Sequence, residues 1–204
     1  MTKLANNDWA QANELQHKLK LDVLLSEAAL LFSHNGYAAT SLDDIAARLN
    51  ITKTAIYHYV RNKNDLLYQC YLRSIEATES CYARADQMGE TGLEKIMAYL
   101  NLDAESGPIA MTPLTEPDVI KDAQAREELV ARLNACEARF RSFIETGVAD
   151  GSIAPCDPEL TMQFILGATR WTMKWYAPEG TMSLTEINEA FMRLVTDGLR
   201  PRPQ

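Results

Sequence analysis

A chain of 204 residues, 47% hydrophobic and 24% charged, can build one large domain or two small ones and is too apolar for disorder. No apolar run nears the roughly 20 residues of a bilayer span, and the polar stretch 1–20 lacks the apolar segment of a signal peptide. A cytoplasmic protein with no membrane partner is therefore expected. The net charge of −8 excludes nothing locally, because residues 1–75 hold eight basic and seven acidic side chains while the remainder holds twelve and twenty-one.

Nearly every segment carries a helical period and none alternates as a strand does, so the fold class is expected to be all-α. Leu21, Leu24, Leu25, Ala28, Leu31 and Phe32 mark a first helix that stops at Asn35-Gly36. Ser41-Leu42-Asp43-Asp44 resembles a capping box and opens Leu42 to Leu49; Thr52 caps a second short helix from Lys53 to about Tyr59. Asn62 caps a longer helix through Leu66, Leu67 and Tyr71. Leu93 to Asp103 is a further helix, and the proline-bearing stretch 106–117 a loop or broken helix. Ala125 to Ala149 is long and amphipathic, ended by Gly151. Asp157-Pro158 opens a helix to about Tyr176, and the capping box Ser183 to Glu186 opens the last, to about Leu199.

Leu49-Asn50-Ile51-Thr52 is a tight joint between two short helices, and Asn50 suits it because Asn tolerates the left-handed conformation. Ile45, Ala46, Leu49, Ile51 and Ile56 are spaced to pack both helices on the first one. Lys53, Thr54, Tyr57 and His58 are left on the opposite side. Donors and an aromatic ring on a helix of this size suit the major groove of DNA, with the first helical residues nearest the base edges.

Gly36-Tyr37, Thr40-Ser41, Ile45-Ala46, Ile51-Thr52-Lys53, Ile56-Tyr57-His58-Tyr59 and Asn62-Lys63-Asn64-Asp65-Leu66 together resemble the N-terminal domain of the TetR family of repressors. Asn50 stands where Gly is usual and Val60 where Phe is usual. The resemblance implies a polar N-terminal extension at 1–18, a three-helix helix-turn-helix domain at 19–68, and a helical ligand-binding and dimerisation domain at 69–204. It implies that Thr40 and Ser41 contact phosphate and that Thr52, Lys53 and Thr54 sit at the groove, with Lys53 or Thr54 reading a base. Tyr57, His58 and Lys63 would hold the DNA backbone.

In that family the C-terminal helices bind a small molecule and make the dimer. Phe164, Ala168, Trp171 and Trp175 form one apolar stripe and Ile187, Phe191, Leu194 and Val195 another, so these are the expected homodimer interface. Met97, Tyr99, Met111, Phe140, Ile144 and Trp171 are the candidate cavity lining, against the plainer reading of each as core. The segment Trp171 to Tyr176 and the capped last helix are similar to a TetR subgroup with members that sense acyl-CoA thioesters or related acids, so an acyl-CoA or other hydrophobic acid is the expected effector.

The expected function is a ligand-responsive repressor binding a palindromic operator as a dimer; a ligand-independent DNA-binding protein and an activator of the same fold stay open. No phosphate loop, nucleophile elbow or zinc-protease motif suggests an enzyme. No cofactor or metal is expected, since His17, His34 and His58 have no ligand-like spacing and Cys70, Cys81, Cys136 and Cys156 are scattered.

Overall fold

The computed structural model describes residues 2–106, 117–176 and 180–199, and every regular element among them is helical. In order these are α1 (Thr2–Asn35), α2 (Leu42–Arg48), α3 (Lys53–Ile56), α4 (Lys63–Met88), α5 (Gly92–Glu105), a 3₁₀ turn (Pro117–Val119), α6 (Ala123–Asp150), α7 (Pro158–Trp175) and α8 (Leu184–Leu199).

Local chemistry sets most of the boundaries. Gly36 takes φ +84° and stops α1. At α2 the Asp44 amide donates to Ser41 Oγ (3.1 Å) and the Ser41 amide to Asp44 Oδ2 (2.7 Å), a full capping box. Asn62 Oδ1 accepts the amides of Asn64 and Asp65, both at 2.9 Å, and starts α4. Asp157 caps α7, with Pro158 at its first position, and Ser183 with Glu186 caps α8.

Two boundaries differ from expectation. α1 begins at Thr2, so the polar stretch expected as an extension continues the helix. α3 is only four residues long, and beyond Ile56 the chain tightens into a turn in which the His58 and Tyr59 amides donate to the carbonyls of Ala55 and Ile56. Most of the loop expected at 106–117, and the turn at 177–179, lie outside the described residues.

α4 runs through both halves of the molecule. Its first turns bury Leu66, Leu67 and Cys70 in the same core as Leu24, Leu25 and Ala28 of α1 and Ile45 and Ile56 of the two short helices. Its later turns bring Tyr82 to Tyr99 of α5, the rings stacked at 4.2 Å, and Phe143 and Phe140 of α6 meet them edge-on. The start of α5 lies so close to α6 that a Cβ on Gly92 would collide with the backbone of Phe143 and Gly147, so only glycine fits. The halves are also tied by hydrogen bonds. Asn64 Nδ2 donates to the Val119 carbonyl (2.7 Å), Lys121 N donates to Asn64 Oδ1 (3.2 Å), and Lys174 Nζ reaches the Ser33 carbonyl (3.1 Å).

Candidate nucleic-acid interface

The joint between α2 and α3 turns at Asn50, which takes φ +53°, the one non-glycine residue with positive φ among those described. The Ile51 amide then donates back to the Ala46 carbonyl at 3.0 Å, and Thr52 Oγ1 accepts the Ala55 amide at 3.2 Å to cap α3. Ile45 and Ile56 are fully buried and Ala46 nearly so. Ile56 of α3 packs in the same core as Ile45 and Ala46 of α2, and this anchor with the Thr52 cap fixes the rotation of α3. Lys53, Thr54, Tyr57 and His58 are accordingly exposed on the other side, beside exposed Ser41 and Thr52.

Electrostatics on this face is organised around one ion pair that sequence reading missed. Lys53 Nζ lies 2.7 Å from Asp43 Oδ2, and this hydrogen bond and charge raise the lysine pKa above its usual value. Both side chains are open to water, so the pair is a weak, exchangeable one that a phosphate can replace. Asp44 is held below the usual carboxylate range by its hydrogen bonds from Ser41, so the cap stays ionised.

Two expected phosphate ligands are placed otherwise. Thr40 is 1% exposed, and its hydroxyl is shared between the carbonyls of Gly36 (3.0 Å) and Leu31 (3.2 Å). Its side chain therefore closes the end of α1, because the left-handed turn at Gly36 delivers a carbonyl that needs a donor. Lys63 donates to the Tyr37 carbonyl, with its ammonium 4.0 Å above the Tyr37 ring. Partial burial lowers its pKa. Lys63 braces the loop before α2 and does not project freely as a backbone ligand.

The C-terminal half leaves several large apolar side chains in water. On α7, Phe164 is 72% and Trp171 64% exposed, with Leu160 and Trp175 beside them, and Leu194 of α8 is exposed too. A Cβ built on Gly167 meets nothing within 4 Å. Ala168 and Phe191 are half-buried. Ile187 and Val195, expected at the dimer interface, are instead buried within the subunit, because α8 has a second apolar face that packs toward α5.

The expected cavity residues also divide. Tyr99, Phe140 and Ile144 are core, and Trp171 cannot line an internal cavity because its ring faces out. Met97 is partly buried with its sulfur 3.1 Å from Thr196 Oγ1, and Met111 lies outside the described residues. Sequence reading passed over Asp103, a buried carboxylate beside this aromatic group. Ile96, Tyr99 and Leu100, seven, four and three residues before it, put it on the buried face of α5, a helical period that could have marked it.

Two family models match the chain: "Bacterial regulatory proteins, tetR family" over residues 24–70, and "Tetracyclin repressor-like, C-terminal domain" over 118–199. Together they take in more than half of it. The HTH-type transcriptional repressor KstR2 of Mycolicibacterium smegmatis is 24% identical over 186 residues, 87% of this chain and 89% of the relative. Among solved structures, the ketosteroid transcriptional regulator KstR2 of Mycobacterium tuberculosis shares the fold with a TM-score of 0.75 and 19% identity, covering 90% of this chain and 96% of that one. AibR in complex with isovaleryl coenzyme A and operator DNA does so with a TM-score of 0.67 and 23% identity, covering 86% and 97%.

Proposed function

The chain belongs to the TetR family and is a DNA-binding transcriptional regulator, and from that premise we propose that it represses by occupying a palindromic operator as a homodimer, released by a small molecule. The observation that carries this reading is the pairing of an exposed polar face on α3 with an exposed apolar face on α7. One recognition helix contacts too few base pairs for tight specific binding, so the apolar face that joins two copies completes the reading surface.

In this reading Thr54 and Lys53 meet base edges, and Lys53 exchanges Asp43 for the nucleic acid as it docks. Ser41, Thr52, Tyr57 and His58 hold the phosphates on either side of the groove. Thr40 and Lys63 act from behind by fixing the loop between α1 and α2. Two copies set their α3 helices about 34–36 Å apart, one turn of DNA. The effector binds in the α4–α7 region and must favour a conformation in which that spacing is lost, since equal affinity for both conformations shifts nothing. The acyl-CoA class is supported by the AibR complex, whose fold this chain shares.

Footprinting over the DNA upstream of the chain's own gene tests the proposal. Protection of one short two-fold-symmetric site, weakened by Thr54→Ala, is the expected result. Uniform coating of the duplex would dismiss it.

A further inference from the structure

Adjacent residues tie the first turn of α4 to both halves of the molecule. Lys63 donates to the Tyr37 carbonyl in the loop before α2, with its ammonium 4.0 Å above the Tyr37 ring. Asn64, the next residue, grips the stretch that leads from the 3₁₀ turn into α6. Its Nδ2 donates to the Val119 carbonyl at 2.7 Å, and its Oδ1 accepts the Lys121 amide at 3.2 Å. These are the backbone groups on either side of Ile120, which is 1% exposed. A side-chain amide suits them because it carries one donor group and one acceptor at the same end.

The gripped stretch is also bonded to α6. Asp122 Oδ1 caps that helix through the Ala125 amide at 3.0 Å, and Arg126 Nη1 donates to the Ile120 carbonyl at 3.2 Å. Residues 119–121 are therefore held to the DNA-facing half by Asn64 and to the regulatory half by Arg126. Beside them opens a cleft of about 640 Å³ bordered by Tyr37, Lys63, Tyr68 and Ala125, which leaves room for a shift across α4. Neutral hydrogen bonds are modest in net strength, so the two bonds of Asn64 can break while Ile120 stays buried.

Resting on the ligand-responsive reading above, we propose that Asn64 is the residue that passes the state of α6 to the DNA-binding half. It is a clamp that is closed when operator is bound and opened when a displacement of α6 draws residues 119–121 off α4. Closed, it fixes the first turn of α4 against α6, and through Lys63 the loop that leads into α2. Open, it leaves the DNA-binding half free to turn relative to α6, and the spacing of the two α3 helices is lost. Asn64 is a positioning residue that touches neither DNA nor effector.

Coupling between two sites is reciprocal, so operator DNA reports on the clamp without any effector. Hydrogen exchange read by mass spectrometry is compared in the full-length protein, free and bound to its footprinted duplex, for wild type, Asn64→Ala and Arg126→Ala. In wild type the duplex should slow exchange across 119–126 roughly fivefold or more, although these residues lie outside the DNA-reading helices. In Asn64→Ala the footprint should be the same, with the slowing confined to α1, α2, α3 and the start of α4. In Arg126→Ala the slowing should reach Lys121 and stop short of α6.

A contact that merely braces the fold would leave the duplex-induced slowing at 119–126 intact in Asn64→Ala, and that outcome overturns the proposal. So does a wild-type protein in which this stretch ignores the duplex. Should Asn64→Ala not fold, Arg126→Ala decides, since slowing that still spreads along α6 overturns the clamp. A footprint with no effect beyond the start of α4 removes only this inference; failure of specific operator binding by the wild type removes the regulator reading itself.

Discussion

The two halves of the chain treat polarity in opposite ways. In the N-terminal half the core is apolar, and its buried polar residue Thr40 is satisfied by two carbonyls. The residues facing water there, Lys53, Thr54 and His58, are polar. In the C-terminal half Asp103 Oδ1 sits inside without a hydrogen-bond partner, while Phe164, Trp171 and Trp175 stand outside. A half that is complete in one chain needs only DNA to act on. A half with large apolar side chains left in water is shaped for a further component, a second copy.

That contrast breaks first at α7. Phe164→Asp removes an exposed ring and so should leave the helical content of the subunit intact by circular dichroism. In a two-fold dimer the change counts twice, and at about 1.5–3 kcal/mol per ring the dimer dissociation constant should rise roughly a hundredfold or more in sedimentation equilibrium. An unchanged dimer would place the interface elsewhere.

The next largest effect concerns Asp103. Its folded pKa, about 7, stands above the ordinary 3.8, so the folded state binds the proton more tightly. Stability is full below the ordinary value and falls as pH rises from about 4 to about 7, by an amount on the order of a few kcal/mol. Denaturant titrations of Asp103→Asn should lack this slope in ligand-free protein; a variant with the same slope as wild type would assign the effect to another group.

Thr40→Val sharpens the contrast from the other side. It removes the donor shared by the Gly36 and Leu31 carbonyls, costing about 1–3 kcal/mol in urea unfolding. The salt dependence of operator binding should not move, whereas a loss of slope would return Thr40 to the phosphate contacts. Lys53→Ala should flatten that slope by about one ion, while Asp43→Asn, which frees Lys53, should tighten binding about two- to fivefold. The smallest effect is Gly167→Ala in the monomeric Phe164→Asp background. The open space around Gly167 predicts a gain of about 0.5–1 kcal/mol from helix propensity, measured by thermal unfolding.

The sequence revealed what is settled locally. Caps at Ser41, Thr52, Asn62, Asp157 and Ser183 and the turn at Asn50 work through neighbours two or three residues away, so they are readable without tertiary structure. The Thr91–Glu94 capping box of α5 was equally local and went unread. Thr40 reads as a free hydroxyl because its partners, the Gly36 and Leu31 carbonyls four and nine residues back, are brought to it only by the Gly36 turn. Ile187 and Leu194 carry the same apolar signal, and only packing against α5 tells the inner face of α8 from the outer one. Asp103 follows Ile96, Tyr99 and Leu100 at helical spacing, so its burial was legible while its surroundings were not. Nothing short of three dimensions brings Tyr82 and Arg170 beside it.

The central claim is that two copies, joined through α7, present two α3 helices to one operator. Sedimentation velocity on the protein mixed with its footprinted duplex tests this most directly. Two chains per palindrome are predicted, with Phe164→Asp losing most of the operator affinity at concentrations where it is monomeric. A single chain bound at full affinity, or a Phe164→Asp monomer that binds as tightly as the unchanged protein, would contradict the account.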